Sequence, residues 1–503
     1  MNKNKKTRVR FAPSPTGGIH IGSLRTLLYN MLFAKKNGGD FIIRIEDTDA
    51  ARTSENSLKH LRDSLDWLGI TPDESPWNPG DYGPYTQSER EYLSYAQYLI
   101  EKDYAYYAFD SSDDLKSARE RWDKLDTQPP YGVHTRHEMV NGLTMSKDDV
   151  SKRISNGDAY TIRFKMPVDK TIILKDKVKG DVEFNTSTLD DKILFKSNGL
   201  PSYHLANVVD DHLMEISHVF RGEEWLSSTP LHLLLYDAFE WDKPEFMHLA
   251  LLLTPDGKKI SKRNAHKYGL SVFALDYTSE EDGLIQGFKS LGYEPEVLLN
   301  FLALHGWAPP ESDTEVMTMD DMTNLFSIDR LTNSGAKVFL DKLNFLNADY
   351  IRKIDDDVLW HWINKNSDID ISDFDESQQS VIMEMAKDRS TLRKDLIDII
   401  NLYTDDISEY VDNSEKMVND GAILVLNKFV DKEKDVDFSD KEIVKQTIYD
   451  ISTENDVKFG KVMPTLRLAL LGGKSGPDLL SSIYVLGRNK TINRIKDMID
   501  IYG

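Results

Sequence analysis

The chain has 503 residues, 40% hydrophobic and 10% aromatic, enough for several globular domains with full cores. It contains no cysteine, which excludes disulfides and thiolate zinc sites, and no run of about 18 apolar residues that would span a bilayer. A formal net charge of −22 argues against a general nucleic-acid binder, so any RNA contact must be local.

Met1 to Thr7 is basic but lacks an apolar core segment, so no signal peptide is expected and the cytoplasm is the default location. Val9 and Phe11 then read as a short buried strand. Pro13, Pro15, Gly17 and Gly18 break any ladder and make a loop. From Ile21, the residues Leu24, Leu27, Leu28 and Met31 recur at helical spacing, and Gly38-Gly39 ends that helix. Phe41 to Ile45 reads as a second buried strand. A glycine-rich loop aimed at a helix N-terminus suits a phosphate, and Gly22 lets the backbone approach a ligand closely. By residue type alone, an ordinary turn fits the glycines equally well. Neither the dinucleotide fingerprint nor the P-loop pattern is present.

Glu46-Asp47-Thr48-Asp49 follows the second strand, at the end where open α/β sheets place ligand groups. A helix carrying Leu58, Leu61, Leu65 and Leu68 ends near Gly69, and Thr86 to Glu89 has a capping-box pattern opening a helix to about Glu101. The character then changes to a mixed stretch, 101–201, with a Pro-Pro-Tyr-Gly turn at 129–132. Thr161 to Met166 and Val178 to Phe184 read there as strands of a small sheet. Leu205 to Val209 reads as a strand, and Thr229 with Pro230 starts a helix carrying Leu231, Leu234, Leu235 and Ala238. Thr254 to Gly257 is a turn before the basic stretch Lys258 to Arg263, which by composition is a solvated loop. From Tyr277 the pattern is nearly all helical, with amphipathic segments at Leu396–Ile400 and Ala422–Leu426. Lys461 to Gly503 holds seven Lys/Arg against three Asp, which permits a confined RNA site.

Ala12-Pro13-Ser14-Pro15-Thr16-Gly17 followed by His20-Ile21-Gly22-Ser23 resembles the first ATP-binding signature of class I aminoacyl-tRNA synthetases, in its glutamyl form. Lys259-Ile260-Ser261-Lys262-Arg263 resembles the lysine loop of the same class. Arg44 to Asp49 matches the glutamyl family's Arg-Ile-Glu-Asp-Thr-Asp segment. Ser23 departs from the class pattern, which has a second histidine there. Met463 to Gly472 resembles the anticodon-binding end of the bacterial-type enzymes, so the resemblance covers essentially the whole chain.

The resemblance implies an α/β Rossmann-like catalytic domain split by an α+β insertion, followed by an all-α C-terminal anticodon-binding half. The expected division is 1–100 and 202–253 for the catalytic halves and 101–201 for an insertion gripping the tRNA acceptor end. A stem-contact part with the lysine loop takes 254–340, and the anticodon-binding region 341–503. The implied reaction is ligation of glutamate to tRNA(Glu) through a glutamyl-adenylate. ATP would meet His20, Gly22, Lys259, Ser261 and Lys262, with His20, Lys259 and Lys262 catalytic. Glutamate would meet Arg10, Ala12, Ser14, Glu46, Tyr203, Asn207, Arg221 and Trp225; Arg10 and Arg221 are the cations suited to its side-chain carboxylate. Arg467 and Leu479 would contact tRNA. Mg²⁺ is expected to arrive with ATP, with no protein metal site, no zinc, no membrane association and a monomeric state. Two competing readings are a small-molecule nucleotidyltransferase of the same class and a non-catalytic tRNA-binding paralogue.

Overall fold

The computed structural model describes residues 6–49, 54–122, 131–279, 282–310, 315–407, 410–473 and 476–503, so Pro129 and Pro130 of the expected turn lie outside the described residues. The chain divides into two compact units, Met1–Leu340 and Asp341–Gly503.

In the first unit, β1 (Arg8–Phe11) and β2 (Asp40–Ile43) pair in parallel, with Arg8 opposite Asp40 and Phe11 opposite Ile43. They are joined by α1 (Ile21–Lys36). Parallel strands are covered on both faces. In β1 this takes Arg8 and Arg10 inside together with Val9 and Phe11. After α2 (Glu55–Trp67) the chain turns at Gly69, whose φ of +65° is the left-handed conformation that favours glycine.

The expected capping box at Thr86 is not formed. Gln87–Glu89 is a single 3₁₀ turn, Thr86 makes no capping bond, and Gln87 donates to Asp210 at 2.9 Å. The helix there, α3 (Leu93–Glu101), begins later.

The middle stretch contributes β3 (Ala105–Ala108), α4 (Ser112–Trp122), α5 (Lys147–Ser155), β4 (Thr161–Phe164), β5 (Thr171–Asp176), β6 (Gly180–Asn185) and β7 (Ile193–Phe195). β3, β4 and β7 form a small antiparallel sheet. The expected strand at 178–184 belongs elsewhere. Residues 177–179 are a turn, and the β5–β6 hairpin extends the large sheet, because Asp176 pairs in parallel with Phe246.

Then come α6 (Tyr203–Leu213), β8 (His218–Gly222), α7 (Thr229–Ala238) and β9 (Glu245–Leu249), and the six-stranded sheet runs β2-β1-β8-β9-β5-β6. Leu205–Val209 is thus helical, not a strand. Asn207, Asp210 and Asp211 share one helical face and are buried against charged partners, so both the polar and the apolar faces of α6 are covered. A helix buried all round loses the alternation that marks an amphipathic one.

In the second unit, the regular elements among the described residues are helices. Leu396, Ile400, Ala422, Val425 and Leu426 all enter its core. Helix Phe459–Leu471 ends at Gly472 (φ +66°), and the last helical stretch, Leu479–Tyr502, is broken into two by a kink at Gly487 (φ +64°). Among the described residues no helix is long and apolar enough to cross a membrane.

Candidate active site

A cavity of about 670 Å³ opens at the C-terminal ends of β1, β2 and β8, where an α/β sheet offers a crevice to ligands. Its lining includes His20, Gly22, Lys259, Ser261 and Lys262. It also includes Arg10, Ala12, Ser14 and Glu46 from β1 and the ends of the first two strands, with Tyr203 and Asn207 of α6, Arg221 of β8 and Trp225 just after it. Residues more than 200 positions apart in sequence thus share one space.

His20 caps α1: its Nδ1 accepts the Gly22 N–H at 3.1 Å. Burial, aided by the charges of Lys259 and Lys262, pushes its pKa down to about 4. The ring is therefore neutral with its proton on Nε2, the tautomer that donates. Backbone pairing of His20 with Phe273 and of Ile21 N–H with the Val272 carbonyl (2.9 Å) pins the loop. Gly18 is required here, since a Cβ would lie 2.9 Å from the Phe273 and Tyr277 rings. Ser14 and Ser23 are exposed and Ala12 and Gly22 half-buried.

The basic loop is anchored by Ile260, which is buried and donates to the Leu252 carbonyl at 2.9 Å. Ser261 precedes a short helix (Lys262–Ala265), and its N–H donates to Asn264 at 2.8 Å. Lys262 is paired with Asp282 at 2.9 Å, while Lys259 forms no ion pair among the described residues. An exposed, solvent-screened pair such as Lys262–Asp282 holds its partners only weakly.

The part of the lining around Arg10 and Glu46 rests on a buried charge network. Arg10 places Nε and Nη2 on Asp211 at 2.9 and 3.1 Å, leaving Nη1 outside that pair. Arg44 bridges Asp211 (2.7 Å) and Glu46 (3.0 Å), and Arg90 pairs with Asp210 at 2.8 Å. Burial would raise the Asp211 carboxyl, but Arg10 and Arg44 outweigh it and hold the group below the usual range. Glu46 also accepts from Asn207 at 2.9 Å. Asp47 accepts the Ser88 N–H at 2.8 Å and so has a structural task.

Arg221 is different. It is only 5% exposed, yet no carboxylate pairs with it among the described residues. Its donors go to the Tyr203 hydroxyl (3.2 Å), His232 Nδ1 (3.2 Å), His248 Nε2 (3.0 Å) and Thr229 Oγ1 (2.7 Å). Burial, with Arg221 beside it, holds His232 far below the usual imidazole range. A buried cation among neutral acceptors is a strong site for an incoming anion. Tyr203 packs on Trp225 with ring centroids 4.4 Å apart.

Sequence reasoning missed Asp176, Thr229, His232 and His248. Asp176 had a legible signal, since it continues the inward phase of Ile172 and Leu174 in β5.

In the second unit, Arg467 is half-buried and donates to the Pro477 carbonyl at 3.1 Å. Leu479, expected to meet an anticodon base, is only 5% exposed and belongs to the helical core, so the side chain offers little surface to a ligand here.

The model of the catalytic domain of class I tRNA synthetases (E and Q) matches residues 6–345, and an anticodon binding domain model matches 337–499. The chain is 41% identical to the glutamate–tRNA ligase of Christiangramia forsetii over 99% of both chains. It is 42% identical to that of Cytophaga hutchinsonii, over 98% of this chain and 97% of the other. A crystal structure of a glutamate tRNA ligase from Elizabethkingia meningosepticum in complex with its amino acid superposes with a TM-score of 0.92 at 38% identity, covering 99% of this chain and 100% of that one. The glutamate–tRNA synthetase of Elizabethkingia anophelis gives 0.89 at 38% identity, over 98% and 100%. The similarity thus runs along the whole length of these proteins, and the chain belongs to the glutamate–tRNA ligase family of class I aminoacyl-tRNA synthetases.

Proposed function

We propose that this cavity activates glutamate with ATP and passes the glutamyl group to tRNA(Glu). The observation that carries the reading is Arg221, a buried cation surrounded by neutral acceptors, facing the same space as His20, Lys259 and Lys262. The glutamate side-chain carboxylate meets Arg221 and Tyr203, while Glu46 stands where the α-ammonium group needs an anion. An α-carboxylate oxygen attacks the α-phosphorus, the bond to the bridging oxygen breaks, and pyrophosphate leaves. Such an in-line displacement needs positioning and charge neutralisation more than covalent help. His20 donates from Nε2 to a phosphate oxygen, and Lys259 and Lys262 neutralise the departing pyrophosphate. Loss of one such donor typically slows the step about 10²–10³-fold. Mg²⁺ enters with ATP as part of that substrate. In the second step a terminal ribose hydroxyl attacks the glutamyl carbonyl and AMP departs.

The stretch 101–201 is the acceptor-end grip, 254–340 the stem-contact part, and 341–503 the anticodon reader with Arg467 at the RNA. The enzyme works as a cytoplasmic monomer. Full-length similarity to named ligases favours catalysis over a paralogue that only binds tRNA. Glutamate-dependent ATP–pyrophosphate exchange, run with tRNA present, tests the reading. Exchange is expected; tRNA binding without exchange or charging would return the chain to the binding-only alternative.

A further inference from the structure

We infer that Asp176 and His248 are positioning residues that aim Arg221 at the cavity by fixing the tautomer of the His248 ring. This inference rests on the reading of Arg221 as the anchor for the substrate carboxylate.

Asp176 ends β5, outside the two stretches expected to form the catalytic fold, and is buried behind β9. Its Oδ1 accepts the backbone N–H groups of Val178 (2.9 Å) and Lys179 (2.8 Å). Its Oδ2 takes the His248 Nδ1 at 2.6 Å and the His248 backbone N–H at 3.1 Å. Burial opposes ionisation of this carboxyl, but His248 and the amides outweigh it and keep it below the ordinary range. Burial likewise holds the His248 imidazole below its usual value, against the pull of Asp176. The ring is neutral, with its proton on Nδ1.

Nε2 of His248 is then an acceptor, and the guanidinium, which can only donate, supplies Nε–H to it at 3.0 Å. The Thr229 hydroxyl lies 3.1 Å from the same ring nitrogen and 2.7 Å from Arg221 Nη2. On the other side, His232 Nδ1 must accept from Arg221, so its Nε2 proton points to His204 Nδ1 at 3.2 Å. Burial, with Lys192 and Arg221 nearby, pushes His204 down to about 4.

The arrangement solves a particular problem. A carboxylate placed directly on Arg221 would hold the fork well but neutralise it, and would compete with the substrate's own carboxylate. Routing Asp176 through a neutral imidazole fixes the guanidinium while leaving its charge for the ligand. The discrimination of glutamate from glutamine therefore depends in part on a residue of the β5–β6 hairpin that never touches substrate.

Asp176→Asn tests this, because the change is isosteric and its consequence is directional. Oδ1 remains held by the Val178 and Lys179 amides, so the new NH₂ group faces His248 Nδ1. The ring must then carry its proton on Nε2, opposing the Arg221 Nε–H. The KM for glutamate, measured by pyrophosphate exchange with tRNA present, should rise about ten- to a hundredfold, the range for losing a hydrogen bond to a charged group. The KM for ATP should stay within about twofold, and preference for glutamate over glutamine should fall by a similar factor to the glutamate effect. ¹⁵N imidazole spectra, with His248 assigned by its loss in His248→Asn, should show the proton on Nδ1 in the parent and on Nε2 in the variant. The parent spectrum keeps the test decisive if Asp176→Asn does not fold: a parent His248 protonated on Nε2, or on both nitrogens at pH 7, overturns the inference. So does an unchanged glutamate KM in a folded Asp176→Asn, provided Arg221→Ala raises it. Should Arg221→Ala leave glutamate use unchanged, the pocket reading itself has failed.

Discussion

Two cations lining the cavity, Lys262 and Arg221, have different local chemistry, and their substitution should separate the substrates. Lys262 is exposed and lightly paired to Asp282, as suits a group that moves to a phosphate. Lys262→Ala should slow adenylate formation about 10²–10³-fold with little change in glutamate KM. His20→Ala should share that signature, and unchanged pyrophosphate exchange in either variant would remove that residue from the displacement. Arg221→Ala should instead weaken glutamate use by about 1.5–3 kcal/mol, the value of a charge-assisted hydrogen bond, with ATP dependence preserved. Impaired ATP binding with normal glutamate dependence would overturn that assignment. Arg10 is a poorer probe than the residue type suggests. Two of its donors hold Asp211, so Arg10→Ala leaves a buried carboxylate short of a partner and destabilises the fold by about 3–5 kcal/mol.

At the level of elements, the loop from Pro13 to His20 is held by the segment that follows the lysine loop. His60 on α2 joins the two, its Nδ1 accepting the Ile19 N–H at 3.3 Å and its Nε2 facing the Leu275 carbonyl at 3.1 Å. The Phe273 and Tyr277 rings close over Gly18. Gly18→Val should therefore push the loop outward, raising the KM for ATP and lowering kcat while glutamate KM changes less; normal ATP kinetics would show that the loop tolerates displacement. In the second unit, Arg467 projects from a helix in the locally basic end of an acidic chain. Arg467→Ala should weaken tRNA charging and reduce discrimination between anticodon variants, with glutamate activation at saturating tRNA intact. Equal charging of those variants by parent and mutant would return Arg467 to a structural role, supporting the Pro477 carbonyl.

For the molecule as a whole, two half-buried histidines contribute to the response to acid. His20 and His204 titrate near 6.5 when unfolded and about 4 when folded. The unfolded chain therefore binds more protons between these values. Stability should be full above pH 6.5, fall as pH drops towards 4, and stop falling from this cause below that. Each ring contributes on the order of 3 kcal/mol. Urea midpoints measured from pH 7 to 4.5 should show the decline, shallower in His204→Gln, and a flat profile would contradict the neutral-ring assignment. The same contrast between local and distant interactions separates what was legible in the sequence from what was not. β1, α1 and β2 were readable because glycine breaks, apolar period and short strands are local properties, and the two signatures carried the family without a fold. Leu205–Val209 was misread as a strand because α6 is buried on both its apolar and its charged faces, which erases the alternation that period analysis needs. The strand read at Val178–Phe184 was placed in the wrong sheet, and β5 before it was not read at all, because pairing partners 70 residues apart leave no mark on a strand's own residues. The sequence by itself determined which residues could bind phosphate and carboxylate, since that follows from side-chain chemistry. Only the tertiary structure decided that Arg10 is shared with Asp211 while Arg221 keeps its charge, because a cation's strength depends on which buried groups surround it, and those come from three different elements, α6, α7 and β9.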